Sequence, residues 1–354
     1  MIFALVHMIW YYKIHIFKRW KKHNGYCKTA IKTMKILITG ITGFVGSYLA
    51  EYCLSKPNVK VYGTVFSPNF REEAEKIKNI KSRVELLKCN LVQKEQVIKV
   101  LLKSKPDKIF HLAGQSRVSF SFQSPEKTLF NNIISDLNIF EGIRKLKLNP
   151  VIVIAGSSEE YGLTFKKELP IKENNPLRPL SSYAVSKIAQ EKLAFQYCQS
   201  YGLKTVLMRF FNTEGPRRGQ EFVTSTFAKQ IVEIEKNKKE PTIYVGNLDA
   251  KRDFIDVRDV VRAYWLASEK CKFGEPYNVC SGKVRSIKSV LNLLLSLSKV
   301  KNIKVKQDPK RMRPSDVPVI LGDCSKFRKQ TGWKPEIPFE KTMEDLLNYW
   351  REVL

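Results

Sequence analysis

Histidine is the residue this sequence has least to offer for chemistry. There are four in 354 residues, and His7, His15 and His23 precede the first recognisable strand. His111, the one histidine in the body of the chain, reads as a structural residue ending a strand. A Ser-His-Asp triad or a histidine-rich metal site is therefore argued against, and acid–base work falls to Tyr, Lys, Asp or Glu. The seven cysteines (27, 53, 89, 198, 271, 280, 324) are scattered, with no Cys-x-x-Cys pair. That speaks against a zinc ribbon or a secreted disulfide scaffold and fits a reducing cytoplasm, with the thiols as packing or surface residues. The apolar stretch Ile2–Tyr12 falls short of the ~20 residues that span a bilayer. It also lacks the leading positive region and small-residue cleavage site of a signal peptide. An interfacial anchor with aromatics and basic flanks is one reading of it; a dispensable extension over 1–33, from an upstream start or a disordered arm, is the preferred one. Acid is scarce as well: 34 Asp and Glu stand against 62 Lys and Arg, a net charge of +28. Residues 1–33 hold seven of those basic residues and no acid. The rest, as in Lys236-Asn237-Lys238-Lys239, read as solvated surface that also attracts anions such as nucleotides. No basic helix or recognised motif points to nucleic acid.

What is present is an ordinary globular composition, 43% hydrophobic and 27% charged, in a chain longer than one average domain. Short apolar runs alternate with helical patterns. Strands are expected at Lys35–Thr39, Val59–Val65, Lys108–Leu112, Val151–Ala155 and Lys204–Phe210. Helices are expected at Ser47–Ser55, near Lys94–Lys103 and Leu129–Leu146, and at Ser182–Tyr201. This rhythm predicts an α/β fold: a doubly wound, Rossmann-type parallel sheet wrapped by helices. Beyond Asn212 the spacing loosens and Pro and Gly cluster, which suits a smaller α/β C-terminal substrate lobe. The expected division is a dinucleotide-binding domain over 34–211 with about 253–282, and a lobe over 212–252 and 283–354.

Two motifs carry chemistry. Thr39-Gly40-Ile41-Thr42-Gly43-Phe44-Val45-Gly46 follows a strand and opens a helix. There Gly40 allows a tight turn, Gly43 lets backbone approach a pyrophosphate, and Gly46 permits close helix–sheet packing, with the helix N-terminus facing the phosphates. The second strand ends Tyr62-Gly63-Thr64-Val65-Phe66-Ser67 with no acid to hold an adenosine ribose, and Arg71 follows. That leans toward NADP, with NAD possible. The second motif is Tyr183-Ala184-Val185-Ser186-Lys187, preceded by Ser157 at the end of the Val151–Ala155 strand. Tyr and Lys four apart share a helix face, and a neighbouring ammonium favours phenolate, which suits Tyr183 as a base. A chance helical Tyr–Lys pair is the alternative; it loses weight after a dinucleotide loop at this distance.

These residues resemble the extended short-chain dehydrogenase/reductase family from about Lys35 to the C-terminus. Within it they are most similar to the GDP-mannose 4,6-dehydratases and the related GDP-4-keto-6-deoxymannose reductases. The specific stretches are Gly114–Phe122, Gly156–Gly162, Phe211–Gly219, Gly246–Asp253, Arg313–Asp316 and Gly332–Pro335. The resemblance implies a cofactor site of Gly40, Thr42, Gly43, Phe44, Val45, Gly46, Asn90, Leu91, Leu112, Ala113, Gly114, Tyr183, Lys187 and Arg218. It implies a substrate site of Ser116, Asn212, Lys229, Asn247, Arg252, Arg313 and Asp316, with the arginines on the diphosphate and base. An ion pair of Arg252 with Asp253 and Asp256 is the alternative for that residue. By the same resemblance Ser157 hydrogen-bonds the sugar O4, where the dehydratases typically have Thr. Tyr183 is the C4-hydroxyl base, Lys187 the ribose anchor, and Glu159 the carboxylate that moves the C5 proton.

Three departures stand out. Ser67–Arg71 occupies the place of two arginines that serve the NADP phosphate and tetramer contacts. Thr213 stands where the motif has His, and Asn90 replaces an acid near adenine. They leave room for the reductase, whereas Arg217-Arg218-Gly219 and the Asn247–Arg252 run favour the dehydratase. The implied function is a lyase that converts GDP-D-mannose to GDP-4-dehydro-6-deoxy-D-mannose. The alternatives are the reductase of that product and, more remotely, a non-catalytic nucleotide- or nucleic-acid-binding protein. A cytoplasmic homodimer or homotetramer packed through the two long helices is expected, with a GDP-sugar as partner, no membrane span and no metal.

Overall fold

Short, largely apolar strands separated by helices have one economical arrangement. The strands align in parallel, and the returning helices cover both faces of the sheet. The computed structural model describes residues 33–66, 74–312 and 317–354. The extension before Thr33, Arg71, Arg313 and Asp316 lie outside the described residues. Met34–Leu354 forms one compact unit.

In chain order the first half consists of β1 (Met34–Thr39), α1 (Phe44–Leu54), β2 (Val59–Val65), β3 (Val84–Lys88), α2 (Lys94–Ser104), β4 (Lys108–His111), α3 (Val118–Gln123), α4 (Pro125–Lys145), β5 (Val151–Ser157), α5 (Ser182–Tyr201) and β6 (Lys204–Phe210). There follow β7 (Asn212–Glu214), α6 (Val223–Glu235), β8 (Thr242–Val245), β9 (Lys251–Asp256), α7 (Val257–Lys270), β10 (Pro276–Val279), β11 (Val284–Ser286), α8 (Ile287–Ser296), β12 (Lys304–Gln307), α9 (Ser325–Thr331) and α10 (Phe339–Val353). Two boundaries differ usefully from the sequence expectation. Helix α1 starts three residues earlier than Ser47, which puts Phe44, Val45 and Gly46 in its first turn. Helix α4 starts at Pro125, because proline at a first helical position lacks only an N–H that would go unused.

Seven strands form one sheet in the order β3–β2–β1–β4–β5–β6–β10, and every pairing is parallel. The order reverses between β1 and β4, and such a switch point opens a crevice at the carboxyl ends of the strands. Apolar side chains on one face of the sheet pack with α1 and α7, through Ile36, Ile38, Val153, Tyr264 and Trp265. On the other face Leu37, Ile109, Ile139, Phe140 and Leu207 pack with α2, α4 and α5. A third core joins α6, α8 and α10 through Phe227, Ile231, Leu291, Leu294, Leu346 and Leu347. The short β7 continues from β6 and pairs with β9, which pairs in turn with β11. This small sheet places Asn212 and Arg252 over the carboxyl edge of the large one.

Candidate active site

One cavity of about 870 Å³ lies along that edge. Its floor is the β1–α1 turn. Gly40 sits at φ +69°, and a Cβ there would stand 3.1 Å from Ala113 Cα; a Cβ on Gly46 would stand 2.2 Å from Gly40 O. Only glycine tolerates both demands. The consequence is that the first-turn amides of α1 open directly onto the cavity, where unpaired N–H groups favour an anion. Thr39 anchors the turn from below: its Oγ accepts the N–H groups of Leu112 and Ala113 at 3.0 and 3.1 Å. Having accepted twice, it donates to His111 Nδ1 at 2.8 Å, so the ring proton sits on Nε2, 2.6 Å from Asp136. His111 is thus a strut beneath the loop, as expected.

The residues fit a dinucleotide on a further ground. Arg218 lines the cavity close to the α1 turn, its guanidinium 3.5 Å from the centre of the Phe222 ring and 5.1 Å from that of Phe44. Its buried Nε has no hydrogen-bond partner among the described residues, and burial lowers its affinity for a proton. Glu214 lies 3.9 Å from that Nε, too far for a hydrogen bond, so the guanidinium keeps an N–H for a phosphate. Gly40, Thr42, Gly43, Phe44, Val45, Gly46, Asn90, Leu91, Leu112, Ala113 and Gly114 all line the same space.

At the centre of the cavity stand Ser157, Glu159, Tyr183 and Lys187. Ser181 begins α5 by accepting the Ala184 N–H at 3.1 Å, which fixes the first turn that carries Tyr183. Lys187, one turn on, donates from Nζ to Ala155 O at 2.7 Å, and this tie points the ammonium at the end of β5. The Ser157 hydroxyl accepts the Glu159 N–H at 3.2 Å and stands close enough to the Tyr183 phenol to lower its proton affinity. Burial pushes the Tyr183 phenol up to about 12, against the help of Ser157, and the same burial lowers Lys187. An unassisted phenol at that value is a poor base at neutral pH. Positive charge brought beside it would correct this.

Toward the smaller lobe, Ser116, Asn212, Asn247 and Arg252 line the cavity. Arg252 donates to the carbonyls of Lys251 and Val317 at 2.9 and 2.7 Å. Asp256 is engaged by Arg258, and Asp253 by Ser281, Gly282 and Gly322. Lys229 is absent from the lining and pairs with Glu233, one turn along α6. Of the two consecutive arginines, Arg217 turns away to Glu51 at 2.8 Å and to the Tyr48 ring, leaving Arg218 alone at the cavity. Thr213, in place of histidine, hydrogen-bonds the Phe211 carbonyl at 3.3 Å. Residues not anticipated include Lys76 near the ends of β2 and β3, and Tyr244, Lys310 and Arg311 at the lobe. No motif marks them; only the folding of separate segments brings them together. Among the described residues no cluster of His, Cys, Asp and Glu could hold a metal.

A family model described as GDP-mannose 4,6 dehydratase matches residues 37–346. The chain is 32% identical to a GDP-mannose 4,6-dehydratase of Vibrio cholerae, over 88% of this chain and 94% of the relative. It is 30% identical to GDP-6-deoxy-D-mannose reductase of Pseudomonas aeruginosa, over 90% and 97% respectively. Among solved structures, RMD from Pseudomonas aeruginosa complexed with NADPH superimposes with a TM-score of 0.79 at 28% identity, covering 91% of this chain and 100% of that one.

Proposed function

We propose that this chain, which belongs to the GDP-mannose 4,6-dehydratase family, removes water from GDP-D-mannose to give GDP-4-dehydro-6-deoxy-D-mannose. The observation that carries the reading is the convergence of Ser157, Glu159, Tyr183 and Lys187 in one cavity with the Gly40–Gly46 turn. A dinucleotide held by the Gly40–Gly46 turn and Arg218 would supply a hydride acceptor that is regenerated within each turnover. Tyr183 takes the proton of the C4 hydroxyl, with Ser157 beside it lowering the phenol's proton affinity. Lys187, held by Ala155 O, brings positive charge to the phenol and favours its ionised form. Once C4 is a ketone, the C5 proton is acidic. Glu159 removes that proton and passes it to the departing C6 hydroxyl, which leaves as water. The proton that Tyr183 took from the C4 hydroxyl balances the one C5 regains when C6 is reduced. Arg252, Asn212 and Asn247 would hold the diphosphate side of the substrate.

NADP is the proposed dinucleotide. Support comes from the absence of an acid at the end of β2 and from Lys76, which lines the cavity beyond it. A homodimer packed through α4 and α5 is part of the same proposal. Phe130 on α4 and Val185 and Phe195 on α5 are exposed apolar residues on those two helices. The described cysteines are all free thiols, in keeping with action in the cytoplasm, and no described helix is long and apolar enough to cross a membrane.

A second reading has one specific observation in its favour. The reductase relative matches about as well as the dehydratases. In that role the enzyme would consume one reduced dinucleotide per turnover, and Glu159 would have no C5 proton to remove.

The substitution Glu159→Gln separates the two readings. It keeps size and polarity but removes basicity. The variant given GDP-mannose and NADP should accumulate reduced dinucleotide, up to one equivalent, while water loss falls by about 10²–10⁴. Dehydration at the parent rate would remove Glu159 from the mechanism and the mechanism with it.

A further inference from the structure

Two adjacent carboxylates on one short turn face opposite ways. Glu159 lines the cavity, whereas Glu160 has no exposed surface and turns into the protein. Glu160 Oε1 accepts the Ser157 N–H at 2.7 Å. Gly156 makes the room for it, since a Cβ there would stand 2.7 Å from that oxygen and 2.9 Å from Met208 O. Directly across the sheet, opposite Gly156, stands Arg209 of β6. Its Nε and Nη2 donate to the two oxygens of Glu191, each at 2.7 Å, and Nε lies 3.6 Å from Glu160 Oε2. Its Nη1 donates to the Tyr161 hydroxyl at 2.8 Å, which donates in turn to Asn278 at 2.6 Å. Glu191 sits on α5 one turn beyond Lys187 and two beyond Tyr183. One buried guanidinium therefore meets two carboxylates, each from an element that carries half of the proposed catalytic set.

We propose that Glu160 is a positioning residue: with Arg209 and Glu191 it holds the turn bearing Ser157 and Glu159 in register with the helix bearing Tyr183 and Lys187. The proposal rests on the dehydratase reading above. Apolar side chains of similar volume could fill this interior with less desolvation. The Arg209–Glu191 ion pair adds direction, because charge-assisted hydrogen bonds fix angles as well as distances. Glu160, whose burial favours its neutral carboxyl, links the Ser157 N–H to that pair. Direction matters here, since a misplacement of about 1 Å can cost about 10²-fold in rate.

The test compares the parent with Glu160→Leu and Glu160→Gln. The readouts are kcat and KM for GDP-mannose, the NADP Kd by calorimetry, and amide hydrogen exchange over residues 155–162 and 182–191. Leu removes the acceptor of the Ser157 N–H, so kcat should fall by about 10²-fold with KM and NADP Kd unchanged, and exchange should quicken over 155–162. Gln keeps an acceptor oxygen and should restore most of the lost kcat. The pH profile adds a readout that a merely structural role would not move. Glu160 faces Glu191 and Lys187 from α5, Arg209 from β6 and, more distantly, Tyr183. Its ionisation sets a negative charge near the Tyr183 phenol and opposes phenolate. The parent's kcat should therefore level off as Glu160 ionises, whereas that of Glu160→Gln should keep rising. Parental kcat in the Leu variant overturns the proposal, as does equal loss of kcat and NADP affinity in both variants. Should the Leu variant not fold, identical pH profiles for parent and Gln overturn it. A parent inactive on GDP-mannose would defeat the dehydratase reading alone, and unchanged exchange over 155–162 in the Leu variant would separately defeat the positioning role.

Discussion

Gly43 shows how one missing side chain becomes a binding site. It is the N-cap of α1, with extended backbone, and a Cβ there would stand 3.1 Å from Gly40 O. The substitution Gly43→Val adds branches on the side from which a pyrophosphate must approach. Calorimetry should show at least about a tenfold loss of NADP affinity, 1.4 kcal/mol, with little change in folding; unchanged affinity would mean the turn is not the phosphate site. Glu160 makes a different kind of prediction. Burial, with Glu191 adding to it, pushes its carboxyl from the ordinary 4.5 up to about 8. Between those values the folded protein binds a proton that the unfolded chain does not, so its stability declines as pH rises. Glu160→Gln cannot lose that proton. Urea unfolding from pH 5 to pH 8 should show the variant gaining on the parent, and a constant difference would refute the assignment. Tyr183, Lys187 and Ser157 were legible in the sequence because helical spacing and the end of a strand place them together. Glu160 was not, since nothing in Glu159-Glu160 says which carboxylate faces the cavity.

Among the elements, α5 bears most on function. It spans Ser182–Tyr201, as its sequence predicts, between the cap Ser181 and Gly202 at φ +67°. Replacing Ser181 by Ala should cost about 1 kcal/mol of stability, read from the urea midpoint. It should also lower kcat more than it weakens NADP binding, because the frayed turn carries Tyr183 while Lys187 lies a turn further in. Equal effects on both would place the consequence outside this turn. The strands β2 and β6 and the helix α5 were read to the residue because apolar runs and capping residues mark their ends. β3 and the segments of the smaller lobe were harder. Val84–Lys88 is only partly buried, and β7 is three residues long, too short for a period-two pattern to emerge. These lobe segments fold because α6, α8 and α10 share a core, a property of three helices that no one of them displays.

For the whole molecule, the central claim is an internal oxidation and reduction: hydrogen leaves C4 of the sugar and returns at C6, with water lost between. The fold makes this possible by bringing the carboxyl edge of a seven-stranded sheet under a lobe that carries Asn247, Lys310 and Arg311. Strand alternation and the glycine turn announced the sheet and its edge. Lys76, Tyr244 and the exclusion of Lys229 from the cavity depended on three-dimensional proximity, which spacing does not encode. One measurement addresses the claim without mutation: GDP-mannose carrying deuterium at C4, incubated with the full chain and a trace of NADP, with the product read by mass spectrometry and proton NMR. The expected product is lighter by one water, with the deuterium at C6 and no net consumption of dinucleotide. Recovery of unchanged GDP-mannose, or a dehydrated product with no deuterium at C6, would contradict it.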